Sequence, residues 1–134
     1  MKNLLIAFGL AVLPLTHAQT ALAQKVPPFI QKTYPPQAIQ AAVAERREVM
    51  RPGALDSKTK FLIALGVAAQ IPCQYCVYFD TKAAKHAGAS DAQIKEAIAA
   101  AALTRKWSTV LNGSAYDFES MKREVDAEFA ARRR

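Results

Sequence analysis

Residues 56–88 read DSKTKFLIALGVAAQIPCQYCVYFDTKAAKHAG, and this stretch decides the fold. Asp56 and Ser57 offer oxygen acceptors to the free N–H groups at a helix start. Phe61, Leu62, Leu65 and Ala69 recur at helical spacing, which predicts a largely buried helix to about Gln70. Pro72 suits the first position of a following helix, where a missing N–H costs nothing. That second helix is expected to carry both Cys73 and Cys76 and to end at Gly88, a natural left-handed residue.

Working outward, Ser90-Asp91-Ala92-Gln93 forms a capping-box pattern. It opens a helix through Ile94, Ala97, Ile98 and Ala101 to about Lys106. Trp107 to Leu111 continue it, directly or after a small kink, and Asn112-Gly113 is expected to interrupt the chain. A last helix, about Tyr116 to Ala131, places Phe118, Met121, Val125 and Phe129 on one stripe. On the other side, Pro27-Pro28 and Pro35-Pro36 predict an extended, irregular arm. Pro36 starts a helix running to about Met50, ended by Arg51-Pro52-Gly53. The chain therefore reads as all-α, a small helical domain of about five to six helices without strands or internal repeats. Abundant alanine and scarce glycine agree with close helix packing. A domain this small often completes its burial by forming a homo-oligomer.

The first 23 residues read as a secretory signal peptide. Lys2 supplies the positive start, Leu4 to Leu15 the apolar run, and Ala21-Leu22-Ala23 a small-residue cleavage site. The run is shorter than the ~20 residues that span a bilayer. The expected organisation is a signal peptide at 1–23, a proline-rich arm and first helix at 24–54, and the main helical domain at 55–134. Cleavage after Ala23 implies a periplasmic or secreted protein with no membrane attachment afterwards.

The 134 residues carry 18 Lys+Arg against 11 Asp+Glu, a formal net charge of +7. The basic residues are dispersed, and their densest run, Arg132 to Arg134, is a terminal tail of the usually solvated kind. No nucleic-acid-binding pattern accompanies them, so nucleic acid is not an expected partner. No cofactor or metal site is expected.

Chemistry concentrates at Cys73 and Cys76, three residues apart and hence on one helix face. A helix N-terminus lowers a thiol's pKa through its partial positive charge and free N–H groups. The effect fades within a turn, so it favours Cys73 over Cys76. Three readings stand for the pair: a redox couple, a structural disulfide, or part of a metal site with Asp80 as a third ligand. A loop this short restricts the unfolded chain little, which weakens the structural reading. Asp80 follows Cys76 by one helical turn. It raises the thiol pKa by like-charge repulsion and can accept the thiol's proton; it can equally be a solvated or salt-bridged residue. His86, the sole histidine once His17 leaves with the signal, lies about 15 Å along the axis from Cys76. It therefore cannot serve that thiol within one chain. Tyr75, Tyr78, Phe79 and Trp107 suit a core or subunit interface, and their closeness to the cysteine helix also allows an apolar pocket wall.

The run Leu55 to Ala64, the Cys73-Gln74-Tyr75-Cys76 motif, Ala84, Gly88-Ala89-Ser90, Ile94-Lys95-Glu96-Ala97, Trp107-Ser108 and Leu111-Asn112-Gly113 together resemble the carboxymuconolactone decarboxylase superfamily. The likeness is to its alkylhydroperoxidase-D-like branch. It implies an all-helical domain assembling as a trimer or hexamer, with the cysteines near a subunit interface. In that branch the pair reduces a hydroperoxide, becomes a disulfide and is regenerated by a thiol. The branch also places a glutamate on the preceding helix and a histidine four residues after the second cysteine. Here those positions hold Phe61 and Asp80. The decarboxylase branch lacks the paired cysteines. The expected activity is thus a thiol-dependent peroxidase or disulfide oxidoreductase. Its partners are a hydroperoxide or disulfide substrate and a thiol reductant, and its site residues are Cys73, Cys76 and Asp80. The runners-up are a lactone-decarboxylase-like enzyme with a structural disulfide, and a non-enzymatic oligomeric binding protein.

Overall fold

The computed structural model describes residues 26–132. The expected signal peptide and its cleavage site lie outside them. Among the described residues there are six α-helices and no strand: α1 (Pro28–Thr33), α2 (Ile39–Met50), α3 (Ser57–Gln70), α4 (Gln74–His86), α5 (Asp91–Gly113) and α6 (Phe118–Ala131). A 3-10 turn, Pro36–Ala38, leads into α2. None of these helices is long and apolar enough to cross a membrane.

The chain divides between Val43 and Ala44 into two compact units. Of the first, residues 26–43 are described. The expected irregular arm is here partly helical. Pro27 is a non-helical cap and Pro28 occupies the first position of α1, where its missing N–H leaves no carbonyl unserved. Gln31 Nε2 donates to the Val26 carbonyl at 2.6 Å, and Thr33 Oγ1 to that of Phe29 at 2.7 Å. The second proline pair breaks the helix after Thr33 and starts the 3-10 turn at Pro36.

In the second unit α3, α4 and α5 pack against one another. Leu65 of α3, Ala84 of α4, Ala89 and Ile94 form the buried cluster, flanked by Phe61, Leu62 and Val77. Leu65 is fully buried. Small residues set the approach of α3 to α5: a Cβ built on Gly66 would meet Ala101 Cβ at 3.5 Å. Gln70 Nε2 donates to the Ala101 carbonyl at 2.8 Å and ties the end of α3 to α5.

Local chemistry sets the helix ends. Asp56 caps α3, its Oδ1 accepting the Thr59 N–H at 2.7 Å. This hydrogen bond holds its carboxyl below the ordinary carboxylate range. Lys60 Nζ donates to the carbonyls of Val49 and Arg51 at the end of α2. Ser57 Oγ donates to the Met50 carbonyl, so α3 is anchored to α2 across the intervening turn. Gly88, at φ +89°, turns the chain after α4. Its N–H donates to Lys85, and that of Ala89 to Ala84, closing the last orphan carbonyls. Ser90 and Gln93 exchange reciprocal bonds at 3.0 and 3.1 Å, the expected capping box.

Two boundaries differ from expectation. The helix opening at Asp91 continues unbroken to Gly113, so Asn112-Gly113 does not interrupt it. The turn is made two residues later by Ala115, with its N–H on Asn112 and that of Tyr116 on Leu111. Asn112 is retained because its side chain donates to the Ser108 carbonyl at 2.7 Å, one turn back. The last helix starts at Phe118, because Asp117 caps it through the Ser120 N–H at 2.8 Å. On its stripe Met121 and Val125 are half-buried, while Phe118 and Phe129 are exposed.

Leu65 anchors a core of few large side chains. Leu65→Ala should therefore cost about 3 kcal/mol of unfolding free energy, and Ser90→Ala, which removes one cap, about 1 kcal/mol. Urea unfolding followed by circular dichroism checks both. Equal losses would show that the core does not centre on Leu65.

Candidate functional site

The cysteine site is built on the joint between α3 and α4. Pro72 does not open α4, as the sequence suggested. It lies in the turn, and Cys73 is the N-cap, with extended backbone at φ −90° and ψ 92°. The joint explains the difference. The Cys73 N–H donates to the Ala68 carbonyl at 3.2 Å and finishes α3. The Cys73 carbonyl accepts from Val77 N–H at 2.9 Å and starts α4. The extended backbone of Cys73 separates the two helices, so the first helical residue is Gln74.

Cys73 and Cys76 lie at disulfide-bonding distance, Sγ to Sγ 2.08 Å, with their Cα atoms 5.3 Å apart. Cys73 Sγ also accepts the Cys76 N–H at 3.2 Å. Sulfur thus takes the capping place more often held by a Ser, Thr, Asp or Asn oxygen. Both cysteines are half-buried. A thiolate at Cys73 would sit at the N-terminus of α4 with the Cys76 N–H pointing at it.

Asp80 is half-buried one turn beyond Cys76. Burial raises its carboxyl above the ordinary carboxylate range, and the charge of Arg46 opposes that rise. Arg46 comes from α2, and its guanidinium carbon stands 4.1 Å from the centroid of the Phe79 ring and 5.8 Å from that of Phe61. Phe61 packs against the core cluster, so the preceding helix offers an apolar ring at this point rather than a proton carrier. Arg46 escaped the sequence reading: it is one of two adjacent arginines on an exposed helix, and no spacing distinguishes it.

Tyr75, Tyr78 and Trp107 are exposed, and Phe79 is half-buried. An open groove of about 580 Å³ runs along α4, lined by Ala69, Pro72, Gln74, Val77, Tyr78, Thr81 and Lys82. Pro72 and Gln74 flank Cys73, so the groove begins beside the disulfide. Lys82 Nζ lies 5.7 Å from the centroid of the Tyr78 ring. His86 is exposed in the last turn of α4, far along the helix from the cysteines. Among the described residues no three His, Cys, Asp or Glu side chains are grouped to hold a metal ion.

The linkage at Asp80 has a definite sign. Its folded pKa is raised, so the folded state holds the proton more tightly than the unfolded chain. The stability this group adds is complete at low pH and is lost as pH rises through the raised value. Asp80→Asn should therefore raise the melting temperature at neutral pH, with the gain fading as pH falls into the carboxylate range. A variant that melts lower at neutral pH would show that the Asp80 charge is a net stabiliser.

Three comparisons bear on the family. A curated relative, "Uncharacterized protein 4 in cox locus" of Paracoccus denitrificans, is 43% identical over 65 residues, which is 48% of this chain. The match spans 59% of that relative's own length. A crystal structure from a structural genomics programme, of a protein from Methanobacterium thermoautotrophicum, superposes with a TM-score of 0.56 at 28% identity. It covers 65% of this chain and 96% of that one. The pattern of the carboxymuconolactone decarboxylase family matches residues 36–116, which take in the helices that frame the cysteines. The chain belongs to the carboxymuconolactone decarboxylase family.

Proposed function

We propose that the protein is a thiol-dependent oxidoreductase of the alkylhydroperoxidase-D-like type, in which Cys73 and Cys76 cycle between dithiol and disulfide. The observation that carries this reading is the place of the pair at the capped start of α4, where Cys73 Sγ accepts the Cys76 N–H. That place favours a thiolate at Cys73, and the thiolate is the reactive form. It also stabilises the reduced state, which makes a disulfide easier to reduce. A bridge over two intervening residues removes little unfolded-state entropy, so a purely structural role has weak motivation.

In the peroxidase cycle the Cys73 thiolate attacks the terminal oxygen of a hydroperoxide. The O–O bond breaks, an alcohol leaves after taking up a proton, and Cys73 becomes a sulfenic acid. Cys76 gives its proton to Asp80 and attacks the Cys73 sulfur. The disulfide forms and hydroxide departs, taking the proton as water. One hydroperoxide is reduced by two electrons and two thiols are oxidised. Two equivalents of a small thiol, or one dithiol, then reduce the disulfide and close the cycle. A disulfide substrate enters by the same thiolate through a mixed disulfide.

The proposed setting is the periplasm or extracellular space, reached through the signal peptide at residues 1–23. The proposed assembly is a homo-oligomer, trimer or hexamer. Leu103, Trp107 and Val110 on α5 and Phe118 and Phe129 on α6 are all exposed in the single chain. Exposed apolar side chains on two helices are what a subunit interface would cover.

The test is rapid mixing of reduced protein with one equivalent of an organic hydroperoxide, quenched and read by intact mass. The expected result is fast loss of two hydrogens, abolished in Cys73→Ser and in Cys76→Ser. Oxidation no faster than that of a free thiol removes the peroxidase reading.

A further inference from the structure

The groove beside the cysteines has two chemically different ends. Pro72 and Gln74, which flank Cys73 in the chain, line one end. Val77 lies beyond them, and its N–H donates to the Cys73 carbonyl at 2.9 Å. Tyr78 stands midway, and Thr81 and Lys82 line the other end. Residues 74, 77, 78, 81 and 82 follow one another at helical spacing and share one face of α4. Gln74 to Lys82 is a span of about 12 Å along the helix axis. The groove, about 580 Å³ in volume, thus runs from beside Cys73 to a cation, with an apolar wall between.

That cation has no acidic partner among the described residues. The ion pairs there join Arg51 to Glu48, Lys122 to Glu119 and Arg132 to Glu128 within single helices, and Lys85 to Asp91. The sequence around Lys82 explains its exception. Its neighbours one turn away on α4 are Tyr78, Phe79, Lys85 and His86, and none is a carboxylate. Lys82 is exposed, with Nζ 5.7 Å from the centroid of the Tyr78 ring. The ammonium therefore stands at the rim of an apolar surface, open to an anion from outside the chain.

Resting on the redox reading above, we propose that this groove binds the substrate and that Lys82 selects it. The substrate class is a long-chain fatty acid hydroperoxide. Its carboxylate lies on Lys82, its chain along Val77 and Tyr78, and its peroxide group at Cys73. A track along one helix face takes a single chain, which favours the free acid over a two-chain lipid. Burial of the chain supplies attraction without direction, and the charge at one end supplies the direction. An exposed ion pair adds up to about 5-fold in binding, enough to choose among hydroperoxides of equal reactivity. The carboxylate takes no part in the chemistry. The Cys73 thiolate attacks the terminal peroxide oxygen, the O–O bond breaks, and the hydroxy acid leaves after taking a proton from solvent. Cys76 then closes the disulfide and the hydroxide leaves as water. Two electrons pass from two thiols to one peroxide.

The experiment compares linoleic acid hydroperoxide with its methyl ester, both below the micelle threshold. Each is mixed with the reduced protein, and disulfide formation is followed by intact mass. The readout is the ratio of the two rates, in which any change common to both substrates cancels. The native protein should prefer the acid by about 3- to 5-fold. Lys82→Met, which keeps an apolar stem and removes the charge, should bring the ratio to one. Lys82→Arg should retain the preference and Lys82→Glu reverse it. Equal rates in the native protein overturn the proposal, as does a preference that survives Lys82→Met. Binding is read independently on the disulfide form, from the Tyr78 ring signals in an NMR titration with linoleate. Linoleate should shift them in the native protein and much less in Lys82→Met; signals that ignore linoleate overturn the proposal. The redox reading fails separately. A pair inert to both hydroperoxides, with Tyr78 signals that still follow linoleate through Lys82, removes the peroxidase cycle and leaves the acid-binding groove in place.

Discussion

Cys73 is the constraint on which the site depends. One residue ends α3 with its N–H, begins α4 with its carbonyl, and caps α4 with its sulfur. Orphan backbone groups at two helix ends are satisfied there at once. The Cys73 sulfur is held there by the Cys76 N–H and by its bond to Cys76 Sγ. Its electrostatics come with its place, because a group that caps a helix is also the group nearest to the positive end of the dipole. Fold and chemistry are therefore the same arrangement at this point.

From that joint the rest of the second unit follows. The short turn between α3 and α4 forces them into an antiparallel pair, which lets Leu65 and Ala84 meet. The Gly88 turn then returns the chain so that Ala89 and Ile94 close the cluster. Small residues dominate the contact of α3 with α5, where Gly66 faces Ala97 and Ala101. Such a core is thin, and large apolar side chains stay exposed on α3, α4, α5 and α6. The same economy shapes the cysteine site. Phe61 serves the core and also faces Arg46, so this position of α3 is part of the packing.

Much of this was legible in the residues, for local reasons. Asp56, Ser90 and Gly88 act where their chemistry places them, because caps and left-handed turns depend on neighbours a few residues away. The all-helical class followed from spacing, and the family from a resemblance carried by the motif residues. The proline positions were read less well. A proline suits a first turn, which points to Pro72 as the start of α4, but Cys73 has extended backbone and caps the helix, so α4 starts at Gln74. The segment after Pro27 was read as extended, yet Pro28 at a first position permits a short helix. Asn112-Gly113 was read as a break, whereas a side-chain bond to Ser108 and the Ala115 turn carry α5 through it. Arg46 could not be found at all. Its place over two rings involves residues 15 and 33 positions away in sequence, and only packing brings them together.

The central proposal is that the capped pair is redox-active and not a permanent bridge. The most direct measurement is the reduction potential of Cys73–Cys76, by equilibration in thiol–disulfide buffers with the two forms separated by mass after alkylation. A helix-capping pair stabilised in its reduced form should titrate above about −300 mV, within reach of biological thiols. A potential well below that value would mark a bridge that stays closed, and would contradict the account.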